Sequence, residues 1–202
     1  RTDNHSRGIM NFFQAIILGI VQALTEYLPV SSSAHIRIIG DLMLGADPGA
    51  AFTAIIQIGT ELAVILYFRR DIINILSHWF GCLFGKNGPD WRARMGRGDK
   101  YATLGWNVIV GSIPIIILGF TLQNIIETSL RNLWITVTVL FLFGLLLWIV
   151  DARSRQIKTM DDMNYRDAFL FGLGQSMALI PGVSRSGGTI TVGRALGYTR
   201  ES

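Results

Sequence analysis

Eighteen consecutive residues, 133–150, contain no charged side chain. The hydrocarbon core of a bilayer takes about 20 mostly apolar residues per helix, so this stretch reads as a membrane span. Two further stretches share the pattern. Residues 104–122 are apolar apart from Asn107 and a few small or hydroxyl side chains. Residues 51–68 are interrupted only by Thr53, Gln57, Thr60 and Glu61. Composition agrees: half of the 202 residues are hydrophobic, 16% are charged, and mean hydropathy is +0.41. About a quarter of an ordinary globular chain is charged. A disordered tail, a charged cytosolic enzyme and a basic nucleic-acid-binding domain are therefore excluded, and no nucleic-acid partner is expected. The net charge of +4 and the pI near 9.6 are the loop charge of a membrane protein. The single cysteine, Cys82, excludes an intrachain disulfide framework and a Cys-based metal site.

Loop charges orient the spans. Residues 69–103 carry seven Lys/Arg and residues 151–167 carry four, whereas residues 123–132 carry only Arg131. By the positive-inside rule the first and third of these loops are cytoplasmic and the second is external. Within the first loop, residues 72–84 form a short apolar-rich segment, expected as a helix at the interface. The N-terminus has the outline of a secretory signal: Arg1 and Arg7, an apolar run, then Ser32 and Ala34. Gln22, Glu26 and Pro29 sit badly in such a segment, so residues 1–9 are read as a polar tail. Asp41 and Asp47 fall in a Gly-rich stretch and are expected as solvated loop residues.

Two apolar segments are too broken to span. The first, from residue 10, carries Gln14, Gln22 and Glu26 and breaks at Pro29, before Ser31-Ser32-Ser33 and His35. The second, residues 168–180, breaks at Pro181-Gly182, before Ser184-Arg185-Ser186-Gly187-Gly188-Thr189. Both read G-x-x-Q, a proline break, then a Ser-rich turn opening a new helix. The loop charges make the first dip in from outside and the second from inside. Paired broken helices in the two halves of an inverted repeat point to a site near the midplane. The predicted fold is thus an all-α integral membrane protein with inverted-topology repeats and two re-entrant helix hairpins. Residues 10–150 form the first repeat, with its hairpin at 10–44, spans at 51–68, 104–122 and 133–150, and a cytoplasmic loop at 69–103. Residues 151–202 supply a cytoplasmic loop and the hairpin of a second repeat whose C-terminal part is expected beyond Ser202.

The polar minority carries the chemistry. Gln22 and Glu26, four residues apart, project from one helical face. A carboxylate inside a membrane segment is costly, which makes a functional role the default. His35, one turn past the serines, is a candidate acid, base or nucleophile beside Glu26. Arg185 stands at a helix start among Ser184, Ser186, Gly187 and Thr189. That arrangement suits a phosphate: exposed N–H groups and the helix dipole face the ligand, glycines permit close approach, and a guanidinium matches two phosphate oxygens. Gln57 and Glu61 form a second i,i+4 pair, either lining the cavity or bonding to neighbouring helices. The G-x-S-x-S sequence lacks the last glycine and the strand of a nucleophile elbow. Gly96-Arg97-Gly98 lacks the third glycine of a dinucleotide fingerprint. Hydrolysis of a lipid-borne phosphate ester or anhydride is the economical reading, and transport or flipping of an anionic lipid or solute is the alternative.

Two motifs, Gln22-x-x-x-Glu26-x-x-Pro29-Val30-Ser31-Ser32-x-x-His35 and Pro181-Gly182-x-Ser184-Arg185-Ser186-Gly187-x-Thr189, resemble the signatures of the undecaprenyl-diphosphate phosphatases, or bacitracin-resistance proteins. The resemblance extends from about Phe12 to Ser202. It implies a multi-pass enzyme of the bacterial cytoplasmic (inner) membrane that converts undecaprenyl diphosphate to undecaprenyl phosphate and phosphate, recycling the carrier for peptidoglycan and other wall polymers and conferring bacitracin resistance. It further implies a divalent cation, Mg or Ca, and leaves room for a homodimer. Residue by residue it implies Glu26, His35 and Arg185 as the catalytic core, with Ser32 as phosphate contact or nucleophile. Ser31, Ser184, Ser186, Gly187, Thr189 and Gln22 would contact the substrate. Gln22 stands where many members have glutamate, so any metal must lean on Glu26 and the diphosphate. Members of the family also continue well past the length of this chain.

Overall fold

The computed structural model describes residues 10–128 and 133–202, and among these there are helices and no strand. The tail at 1–9, with Arg1 and Arg7, and the external-loop residue Arg131 lie outside the described residues. The helices are α1 (Phe12–Glu26), α2 (Ser32–Leu44), α3 (Ala50–Tyr67), α4 (Arg69–Leu83), α5 (Trp91–Arg94), α6 (Lys100–Thr128), α7 (Leu133–Arg153), α8 (Tyr165–Ser176) and α9 (Arg185–Leu196). Short 3-10 turns at Met160–Asp162 and Met177–Leu179 flank α8.

Two helices, α6 and α7, are long and apolar enough to cross a membrane alone, and they contain the spans expected at 104–122 and 133–150. The span expected at 51–68 is α3, but it qualifies only together with α4, from which it is bent by 71° at Phe68. The expected interfacial helix is therefore α4, which starts three residues early and follows α3 directly. The exposed surface of the bundle is apolar: Phe120, Trp134, Phe141 and Trp148 all face outward. Gln22, Thr60, Asn107 and Thr136 are buried instead. That distribution suits lipid as the surrounding solvent and identifies an all-helical membrane protein.

The two proline-broken segments both fold into antiparallel hairpins. In the first, Asn11 caps α1 through a reciprocal pair of hydrogen bonds with Gln14. Gln14 Nε2 then reaches the carbonyl of Met43 at the far end of α2, 3.3 Å away, closing the hairpin at its base. Gly45, at φ +66°, ends α2. Asp41 consequently lies in the last turns of α2 rather than in a loop, where its carbonyl accepts the Gly45 N–H at 2.8 Å. The apolar period through Ile36, Ile39 and Met43 carries the helix on to that glycine. Asp47 does lie in the loop, accepting from the Gly49 N–H.

In the second hairpin, Asn164 caps α8 and Ser184 caps α9. A Cβ on Gly188 would lie 2.2 Å from the Gly174 carbonyl oxygen, so α8 and α9 cross backbone to backbone. Small residues at membrane helix crossings act in this way. The hairpin seats against the two full spans. A Cβ on Gly172 would meet the Gly111 carbonyl of α6 at 2.1 Å, and one on Gly182 would meet the Thr136 carbonyl of α7 at 2.4 Å.

Candidate active site

The first break places Gln22, Glu26, Ser31, Ser32 and His35 together. Gln22 Nε2 donates to Glu26 Oε2 at 2.9 Å, as the i,i+4 spacing predicts. The Ser32 hydroxyl donates to the same oxygen at 2.5 Å. Glu26 thus accepts two hydrogen bonds on one oxygen at the end of α1, and Ser32 opens α2 with its hydroxyl already bound to a base. His35 Nδ1 donates to the Ser31 carbonyl at 3.0 Å, which leaves the Nε2 lone pair of a neutral ring unused by that contact. Ser31 is buried and holds φ +62°, a conformation that a non-glycine residue adopts at a cost. The break is consequently a strained, over-determined corner.

The second break displays its residues at the start of α9. Ser184 Oγ accepts the Gly187 N–H at 3.2 Å and lies 3.0 Å from Ser186 Oγ. Thr189 Oγ1 donates back to the Ser186 carbonyl at 2.9 Å. Arg185 projects outward with half of its side chain exposed.

The two breaks touch. Ser186 Oγ donates to the Leu28 carbonyl at 3.4 Å. A Cβ on Gly187 would lie 3.5 Å from Pro29 Cβ, ordinary contact distance, so the two corners pack directly against each other there. Between them lies a cavity of about 510 Å³ lined by Glu26, Tyr27, Glu61, Gln175, Arg185 and Thr189, among others. Glu26, Arg185, Ser186 and Thr189 are therefore brought to one space. Gln22, Ser31, Ser184 and Gly187 are buried supports behind it. Ser32 reaches it through Glu26. His35 is half-buried and does not line it.

Two wall residues were not assigned from the sequence. Glu61 Oε1 lies 3.8 Å from Arg185 Nη1 on α9 and lines the cavity, whereas Gln57 is not among its lining residues. Gln57 Nε2 donates to Glu61 Oε1 at 3.2 Å. Gln175 corresponds to Gln22 in the repeated G-x-x-Q pattern, and that correspondence was the available signal for it. The helix α3 is tied to the first break by the Tyr27 hydroxyl, which donates to the Thr60 carbonyl at 2.9 Å.

A larger cavity, about 630 Å³, lies further along α9 against Trp148 and Phe171, with Thr189 lining both. Its ionic groups are engaged with one another: Arg194 Nε and Arg200 Nη2 both donate to Asp151. Behind α8, buried Asp167 accepts from Lys158 Nζ and from the Tyr198 hydroxyl, each at 2.8 Å. Burial pushes the Asp167 carboxyl upward, but these two donors outweigh it and hold the group below the ordinary carboxylate range. Burial and the same carboxylate push the Tyr198 phenol upward. This network locks the base of the second hairpin and lies apart from the Glu26–Arg185 cavity.

Among the described residues no group of three His, Cys, Asp or Glu side chains is placed to hold a divalent cation. Glu26 nevertheless offers a hard carboxylate, and Gln22 Oε1 beside it is buried without a partner. One carboxylate and a neutral oxygen, completed by substrate oxygens and water, match the way magnesium is commonly held.

Known proteins match the chain over nearly its whole length. The profile of the family described as bacitracin resistance protein BacA matches residues 15–202. An undecaprenyl-diphosphatase of Bifidobacterium longum subsp. infantis is 89% identical over 193 residues, covering 96% of this chain and 66% of that protein. Proteins of the same name from Bifidobacterium adolescentis and Paenarthrobacter aurescens are 72% and 53% identical, again over 96% of this chain and over 66% and 67% of their own lengths. The chain thus spans 66% of the length of the Bifidobacterium relatives. The matched region holds both proline-broken hairpins and the cavity between them, and the chain belongs to the bacitracin resistance protein BacA family.

Proposed function

We propose that this chain carries the reaction centre of an undecaprenyl-diphosphate phosphatase of the bacterial inner membrane, releasing undecaprenyl phosphate and inorganic phosphate. The observation that carries the reading is the meeting of the two breaks, which puts the Glu26 carboxylate and the Arg185 guanidinium on the wall of one cavity. The antiparallel closure of both hairpins supports their assignment as re-entrant, inverted counterparts.

The terminal phosphoryl group sits against Arg185 and the N-terminus of α9, where guanidinium and N–H donors stabilise the charge that builds on its oxygens. Ser32 Oγ, already bonded to Glu26 at 2.5 Å, attacks the terminal phosphorus. Its proton passes to Glu26, the bridging P–O bond breaks, and undecaprenyl phosphate departs with that bond's electron pair and takes the proton from Glu26, which is again a carboxylate. Water then cleaves the phosphoserine to release phosphate, with Glu26 as the base. His35 is held by the Ser31 carbonyl and keeps the corner in shape. Glu26 and Gln22, together with substrate oxygens, would hold a divalent cation, whose chemistry is to neutralise diphosphate charge.

The test is phosphate release from undecaprenyl diphosphate by the purified protein in its full natural length, in detergent and without a membrane gradient. The enzyme reading expects release, and a loss of about 10²–10³-fold in Arg185→Ala. A transporter gives none. Trapped phosphoenzyme should be acid-stable; an acid-labile phosphohistidine would move the attack to His35.

A further inference from the structure

Resting on that reading, we propose that Glu61 is a resident counter-ion for Arg185, a positioning residue that occupies the guanidinium in the empty site and yields it to the phosphoryl group. The geometry is that of an exchangeable pair. The Glu61–Arg185 separation of 3.8 Å is too long for a direct hydrogen bond, and both side chains are about half exposed to the cavity. Such a pair is weak, whereas a guanidinium and a phosphoryl group can make two short charge-assisted bonds.

Glu61 is also provided for after the exchange. Gln57 Nε2 donates to Glu61 Oε1 from one turn below, so the carboxylate keeps a partner when Arg185 turns to the substrate. Its carrier helix is anchored to the reacting corner, because Thr60, the preceding residue, accepts the Tyr27 hydroxyl. The carboxylate therefore stays on the wall while the guanidinium moves. A carboxylate fixed on the wall of an anion site opposes the anion. Its consequence is turnover: Glu61 competes with inorganic phosphate for Arg185 and speeds product departure.

Inorganic phosphate is the probe, measured both as an inhibitor of turnover and by calorimetry. In Glu61→Gln, which keeps the size of the side chain and a partner for Gln57, phosphate should bind about two- to fivefold tighter, the range an exposed pair allows. KM should fall and kcat should not rise. Glu61→Asp, which retains the charge, should stay near wild type. The tightening should shrink when Arg185→Ala is introduced alongside. A merely structural role for Glu61 would leave phosphate binding unchanged or weaken it, and either result overturns the proposal. If Arg185→Ala keeps normal turnover, the reaction centre itself is misassigned. If Arg185→Ala is inactive while Glu61→Gln binds phosphate as wild type does, only the counter-ion role fails.

Discussion

The crossing of α8 and α9 offers the sharpest test of how the fold holds Arg185. Each of its two glycines sits against the other's backbone: a Cβ on Gly188 would be 2.2 Å from the Gly174 oxygen, and one on Gly174 would be 2.7 Å from the Gly188 oxygen. A carbon and an oxygen need more than 3 Å. Gly188→Ala must therefore push the helices apart by roughly 1 Å, and the obstacle is backbone that cannot rotate away. Overpacking of this kind costs about 1–3 kcal/mol. At about 2–4 °C per kcal/mol for a chain of this size, the melting temperature in detergent should fall by about 5 °C. The kinetic effect should be larger, because α9 carries Arg185 three residues upstream. A displacement of about 1 Å at a reacting centre costs on the order of 10²-fold in rate. Gly19→Ala is the control, since nothing lies within 4 Å of a Cβ there. It should be neutral or stabilising by about 0.5–1 kcal/mol, the helix-propensity gain of alanine over glycine. Thermal unfolding and phosphate release on both variants decide the matter. A Gly188→Ala protein that melts and turns over like wild type would show that the crossing does not position the site.

Two further outcomes follow from local structure. Asp167 has its folded pKa held low by Lys158 and Tyr198, so its stabilising effect is present above the ordinary carboxylate pKa near 4 and is lost as pH falls through the lowered value. Asp167→Asn should cost about 1–3 kcal/mol at neutral pH, and the gap to wild type should narrow in an unfolding series as the pH is taken below the ordinary carboxylate range. Ser31→Gly should relieve the backbone at φ +62° and raise stability by about 1 kcal/mol in the same assay, while turnover falls because a looser corner holds Ser32 and His35 less firmly.

The parts of this molecule that were legible in the sequence are those governed by short range. A span such as 133–150 announces itself because lipid demands an unbroken apolar run, and α7 covers it. The Gln22–Glu26 contact follows from one helical turn, and the helix start at Arg185 from the Pro181-Gly182 break before it. The sharp bend at Phe68 carried no such mark, since neither proline nor glycine stands there. A chain of helical residues turned by 71° reflects α4 packing on α6, a tertiary preference that periodicity does not encode. Asp41 was misplaced for the opposite reason: nearby glycines suggested a loop, although only Gly45 ends the helix.

The long-range half of the site shows why spacing alone stops short. The Gln57–Glu61 pair was visible on α3, yet nothing local distinguished a cavity wall from a helix interface. What decided it was the approach of α3 to α9, and that approach is set by groups with no chemistry of their own. The Tyr27 hydroxyl fastens α3 to the first break, Gly187 fits closely against Ser184 Cβ and the Phe143 ring of α7, and Gly172 and Gly182 seat the second hairpin against α6 and α7. A glycine in a sequence shows only that a Cβ is absent. Which backbone fills the space is a property of the whole bundle, and here that backbone determines that Arg185 faces Glu61 and Glu26 across one cavity. Substitutions at these glycines should therefore alter catalysis at a distance, whereas conservative changes on the lipid-facing surface of α7 should not.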